Sequence, residues 1–433
     1  MNWKQTLFWS FSAAAIFYYF LLFGVFVFVG QEEMQLFIPE WWYIREFLFQ
    51  PGGFCAVAGQ WIIQYYRQPM SAVVFHTVLL VGCGFMVYRI LRCFSDKTYL
   101  LFLSLLPVLY LVKMSIHGEY LVDGTVGVVL MLLALSVSLK VRRAGSIAGY
   151  GIASTLFLCG LTGLLSVCYA FLYTLLALLR YKTSRQRLAA SACLIPALFI
   201  YLFSGWLGIP VPLSDGWMPE AYLEIQRLPH YYMYRVWTFF TLSIVGVALF
   251  ARFVPVIGEK SKWMDRVALV VCLITVLVSI RFCLPEPWHA QRMMLDELSF
   301  LARERQWDAI IDKYRGKQIY NYVSLNYLNM SLAHKGELAD RMFTFDQGTK
   351  SLCADWNQTF YMDRLLSDVH FLVGDVSLSE SFAMDGFTQA KRKGSARMLQ
   401  RFVQVCLIRG EVALAKKYLD LLAVMLPIWY IRN

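Results

Sequence analysis

The sequence predicts an all-α membrane protein in two parts. A polytopic transmembrane helical bundle of about nine spans occupies residues 1–285, and an outward-facing α-helical repeat domain occupies 286–433. Three observations predict this. Of 433 residues, 58% are hydrophobic and only 16% charged, a balance that belongs to membrane proteins. Apolar runs of membrane length recur through the first 285 residues, and the charges between them are sorted by sign. At Pro285-Glu286-Pro287 the composition changes to that of an amphipathic helical domain.

A span needs about 20 apolar residues. Segments 6–29, 71–91, 98–114, 120–139, 188–207, 236–257 and 267–284 qualify, while 146–179 is too long for one span. Lys140-Val141-Arg142-Arg143 precedes that segment, and Arg180, Lys182, Arg185 and Arg187 follow it. Basic clusters mark the cytoplasmic side, so both ends belong inside and an even number of crossings lies between them. Two short helices meeting near Gly160-Leu161-Thr162-Gly163 satisfy this and bring the total to nine, with the N-terminus inside and the C-terminus outside. Glu32, Glu33, Glu40, Glu46, Glu119, Asp123, Asp215, Glu220 and Glu224 then collect on the outer side.

The first outer loop, 31–70, reads as two interfacial helices. Phe37, Trp41, Trp42, Ile44, Phe47 and Leu48 recur at helical spacing, Pro51-Gly52-Gly53 stops the pattern, and Trp61 to Tyr66 resume it. The loop 208–235, with Pro210, Pro212, Trp217 and Tyr231, is expected to be ordered at the interface.

In the tail, "LARERQWDAI", "LAHKGELADR", "FLVGDVSLSE" and "LIRGEVALAK" each join two amphipathic helices through a tight turn. Arg305, Gly336, Gly374 and Gly410 hold the turn position, 31, 38 and 36 residues apart. A period near 34 with a helix–turn–helix unit predicts tetratricopeptide-like repeats, whose stacked hairpins present a groove for protein segments; a plain helical bundle is the alternative.

The net charge of +11 does not signal nucleic acid. Residues 286–433 hold 19 Lys+Arg against 17 Asp+Glu, and the excess lies at the edges of the apolar runs rather than on a folded face. The cysteines show no CxxC or metal-ligand spacing. Nucleotide-binding loops, nucleophile elbows and HExxH are absent.

The candidate chemistry lies in acids. Glu32 and Glu33 follow the first span, and Glu119 and Asp123, four apart, precede another. A carboxylate at the membrane surface can act as a general base toward a hydroxyl or hold a divalent cation, though a solvated helix end looks the same in sequence. His76 and His117 lie in or beside spans without an identifiable partner. His230, near Arg235, is placed to meet a substrate phosphate, with the tyrosines around it equally explained as interfacial anchors.

"EEMQLF", "PGG", "QPMSA" and the closing "GEVALAKKYLDLL" resemble a family of Bacteroidota inner-membrane proteins of unassigned function, whose members are expected to run further past "PIWYIRN". The architecture is similar to membrane glycosyltransferases of the GT-C class, with an inside N-terminus, an acidic first outer loop carrying amphipathic helices and, in some members, a tetratricopeptide tail. That resemblance implies transfer of a sugar from a lipid-phosphate donor at the outer face. Glu32 or Glu33 would be base or metal ligand, Glu119 and Asp123 further acids, and Arg235 and His230 phosphate partners. The expected surroundings are the lipid bilayer, a lipid-linked substrate, a protein partner on the repeats and no nucleic acid. The alternative is a non-catalytic scaffold that recruits envelope or secretion partners; a transporter is disfavoured by the scarcity of charge at mid-membrane depth.

Overall fold

Helices make up every regular element among the described residues of the computed structural model, which are 3–118, 120–163, 165–203, 234–258, 262–319, 321–390, 392 and 394–425. The chain divides into two units. The first comprises Met1–Leu22, Trp41–Ile62 and Met70–Pro285; the second comprises Phe23–Glu40, Ile63–Pro69 and Glu286–Asn433.

In the first unit, four helical segments are long and apolar enough to cross a membrane: Trp3–Phe23, Pro69–Leu91, Ala144–Thr162 and Arg266–Cys283. Shorter apolar helices cover Leu100–Ser115, Val122–Ser138, Leu165–Arg180 and Phe239–Phe253. Their outward side chains are apolar, among them Phe11, Val78, Phe157, Leu242 and Leu277, the reverse of a water-facing surface. These features mark a membrane protein.

Local breaks have identifiable causes. Pro107 has no N–H to donate, and the segment 98–114 accordingly splits into helices Leu100–Leu103 and Leu106–Ser115. The segment 146–179 forms two helices, ending at Thr162 and restarting at Leu165, with Gly163 at φ +61°. The loop 41–67 holds helices Trp41–Leu48 and Gly53–Ile63 and a 3-10 turn Gln64–Arg67. Gly52 has φ +84°, and its N–H bonds the Gly160 carbonyl. Phe37 lies outside these helices. The loop 208–235 lies outside the described residues apart from the start of helix Tyr234–Gly258.

The second unit contains four helical hairpins: Pro287–Arg303 with Trp307–Tyr314, Tyr322–His334 with Leu338–Arg341, Phe360–Leu372 with Val376–Gln389, and Ala396–Arg409 with Val412–Met425. All four turns use one device. Residues 305, 336, 374 and 410 have φ of +54°, +74°, +85° and +76°. Each donates its N–H three residues back, and the following residue donates five back, as in Gln306 to Leu301 and Glu411 to Cys406, both 2.8 Å. This is the Schellman arrangement, which closes the helix carbonyls and suits glycine. Arg305 is the exception, and a side chain in that region costs about 1 kcal/mol. Asn321, Asp375 and Ser395 cap the helices that follow them by accepting from Val323, Leu378 and Met398 N–H groups. Leu298, Ile310, Leu328, Leu365 and Leu366 form part of the apolar core.

The short helix Val25–Glu33 also belongs to this unit. It follows an interruption at Gly24 and is buried from Val27 to Glu33. It packs on Pro287–Arg303, where Phe26 and Phe300 rings lie 5.8 Å apart. The approach is so close at Gly30 that a Cβ there would meet Asp296 Oδ1 at 2.6 Å.

Candidate functional site

Glu32 and Glu33 end the helix Val25–Glu33, and both are buried, at 5% and 1% exposure. The helix runs on through both acids, whereas the sequence placed them in a loop beyond 29. Their burial is compensated by arginines from three helices of the same unit. Arg364 Nη1 donates to Glu33 Oε2 at 2.5 Å, Arg303 Nη1 donates to Oε1 at 2.9 Å, and Arg397 Nη1 lies 3.5 Å from Oε1. Arg303 Nη1 also reaches Glu32 Oε2 at 3.3 Å. Ser395, the N-cap of helix Ala396–Arg409, donates its hydroxyl to the Glu33 carbonyl.

The network continues outward. Asp368 accepts from Arg397 at 2.6 Å and Arg401 at 2.5 Å. Asp296 lies 3.8 Å from Arg364 Nη2, and among the described residues neither of its carboxylate oxygens makes a hydrogen bond. Arg364 is 1% exposed, its guanidinium 5.9 Å from the Phe360 ring centre and 5.3 Å from that of Tyr361.

The two acids facing Arg364 therefore sit at opposite extremes. Burial pushes the Glu33 carboxyl up, but Arg364, Arg397 and Arg303 outweigh it and hold the group at about 2. Burial wins at Asp296, which rises to about 7 against the pull of Arg364 and Arg292. The stability consequences have opposite signs. Glu33 contributes stability above its ordinary value of 4.5, lost as pH falls toward 2. Folding takes up a proton at Asp296 between its ordinary 3.8 and about 7, so its contribution weakens as pH rises through that window. Asp296→Asn is accordingly expected to melt at a higher temperature than the unmodified chain at pH 8. The difference should vanish near pH 4; equal melting curves at pH 8 would refute the assignment.

Beside this network lies a cavity of about 970 Å³. Its wall includes Arg67, Arg303, Arg305, Arg397 and Arg401 against the carboxylates Glu304, Asp368 and Asp420. Trp307, Met330, Phe371, Leu372, Met398 and Leu419 are among its apolar lining. His334 on the wall stacks on Trp307 with ring centres 4.2 Å apart, and burial together with Arg305 lowers its basicity.

Of the other residues expected at a site, Asp123 opens helix Val122–Ser138 in the first unit and is 4% exposed. A Cβ at Gly59 would meet the Asp123 Cβ at 2.7 Å, so two backbones pack closely there. Glu119 and His230 lie outside the described residues, and Arg235 is described only in its backbone, on helix Tyr234–Gly258. His76 and His117 are buried in the first unit. Among the described residues no group of three or more His, Cys, Asp or Glu is placed to hold a metal ion. No disulfide links the cysteines, Cys353 and Cys406 of the tail included.

Sequence reasoning did not single out Arg303, Arg364, Arg397, Arg401, Asp296 or Asp368. A signal was present: Arg292, Asp296, Ser299 and Arg303 follow helical spacing on one face, as do Arg364 with Asp368 and Arg397 with Arg401.

The chain matches the family of unknown function DUF6057 over residues 1–426 and belongs to that family. No curated protein and no solved structure matches it.

Proposed function

We propose that this is a bacterial inner-membrane protein whose first unit anchors it and whose second unit is a recognition module outside the cytoplasm. The reading takes the first 285 residues as nine spans with the N-terminus inside, and the four hairpins as tetratricopeptide-like repeats that recruit envelope or secretion partners. The observation that carries it is the clamp on Glu33. A carboxylate buried among three arginines and held near 2 is a weak base, already committed to holding helices together.

The GT-C-like transferase is the second reading, supported by the place of Glu32-Glu33 directly after the first apolar run of the sequence. It requires the arginines to release Glu33 when a lipid-phosphate donor or a divalent cation binds. Hydrogen exchange on Glu33→Gln separates the two readings: lost protection in Phe360–Leu372 and Ala396–Arg409 supports the clamp, and unchanged protection supports the transferase.

The placement has its own test in native cysteines. Cys93 and Cys353 are exposed, and the other eight are buried. On intact cells with a permeable outer envelope, a membrane-impermeant maleimide is expected to label Cys353 and spare Cys93 until the inner membrane is opened. Labelling of Cys93 first, or of neither before lysis, would overturn the orientation; Cys353→Ser identifies the modified site.

A further inference from the structure

We infer that the arginine-lined cavity of the second unit is a binding site for a phosphoryl group carried on an apolar or aromatic body. The inference deepens the recognition-module reading by naming the chemistry that the module takes.

The first observation is the turn at Arg305. Three of the four hairpins place glycine at the left-handed position, where glycine alone is unstrained. The fourth places an arginine there, at φ +54°, and that arginine lines the cavity. Among the described residues Arg305, an exposed side chain, makes no ion pair, and its N–H bonds the Ala302 carbonyl. A strained backbone position occupied by an unpaired cation on a cavity wall points to a use for that cation.

Arg401 supplies the second. Its side chain is 12% exposed, it spends a single nitrogen on Asp368, and its guanidinium lies 3.9 Å from the centre of the Phe371 ring. Asp368 is shared with Arg397, so one carboxylate serves two guanidiniums. Burial lowers the Arg401 pKa despite that carboxylate, so the cation is under-compensated as it stands.

The third observation is the shape and lining of the cavity. The arginines come from the 3-10 turn at Arg67, the first hairpin turn at Arg305 and the helix bearing Arg397 and Arg401. A phosphoryl group presents three terminal oxygens and up to two charges, and so accepts from several guanidinium forks at once, where a carboxylate offers two oxygens. At about 970 Å³, the cavity far exceeds one anion, and Trp307, Phe371, Met398 and Leu419 line the remainder. Those walls suit the organic body of a phosphate ester or diphosphate.

The test uses the full chain in detergent and in nanodiscs, with inorganic pyrophosphate as one probe and phosphatidic acid against phosphatidylcholine nanodiscs as the other. Binding is read by calorimetry and by the rise in melting temperature. Arg305→Gly is the decisive variant, because it relieves the strained turn while removing the cation. It is expected to melt a few degrees higher than the unmodified chain and to bind at least tenfold more weakly. Arg401→Gln is expected to bind more weakly as well, and Arg315→Gln, on the far side of an exposed pair with Asp312, to bind unchanged. Pyrophosphate binding in detergent assigns a soluble phosphate ester; stabilisation only by phosphatidic acid assigns a lipid headgroup. Failure of both probes, or equal affinity of Arg305→Gly, overturns the site while leaving the membrane placement to the cysteine experiment.

Discussion

Arg364→Leu is expected to destabilise the second unit by about 3–5 kcal/mol, the range for removing one partner of a buried ion pair. Leucine retains much of the volume, so the loss is electrostatic rather than a cavity effect. In the intact protein the Arg364 guanidinium stands between Glu33 and Asp296, at 2.5 and 3.8 Å. Without it Asp296 loses the cation nearest to it, and Glu33 keeps two arginines in place of three. For a unit of this size the loss corresponds to a drop in melting temperature of roughly 10 °C. Adding Asp296→Asn to Arg364→Leu should recover part of it at pH 8, because the second change removes a buried carboxylate whose main counter-charge the first took away. The double-mutant coupling energy is the quantity to measure. Additive losses would show that Asp296 and Arg364 do not act as a pair.

Much of the tail's architecture is legible because its turns are local. Arg305, Gly336, Gly374 and Gly410 can be aligned by eye, and each takes the positive φ that ends a helix. Gly163 is legible in the same way, as the end of one short helix ahead of the next. The site was far less legible. Glu32-Glu33 after a long apolar run reads as the exit from a membrane, since unpaired carboxylates are expensive to bury. What permits their burial lies 270 residues away at Arg303 and 331 residues away at Arg364, and no local pattern announces that pairing. The small residue at Gly30 shows the same limit. In sequence it looks like a helix end, and in the structure it makes room for the Asp296 carboxylate.

Arg305 stands between the two cases. Its turn was readable from the neighbouring hairpins, but the meaning of arginine in a glycine position became visible only with its backbone angle and its place on the cavity wall. Local strain set against global position is where sequence patterns and structure diverge most usefully.

The measurement that tests the account most directly is hydrogen exchange on Glu33→Gln in the full chain, followed through the helices Phe360–Leu372 and Ala396–Arg409. Glutamine keeps the shape of glutamate and removes the one charge that Arg303, Arg364 and Arg397 share. If Glu33 holds the unit together, both helices lose protection by about 3–5 kcal/mol and the unit melts earlier, whatever activity is assayed. If protection in both helices is unchanged, Glu33 is not a structural keystone. The arginines would then be free to release it, and the transferase reading, with Glu33 as base or metal ligand, would take precedence.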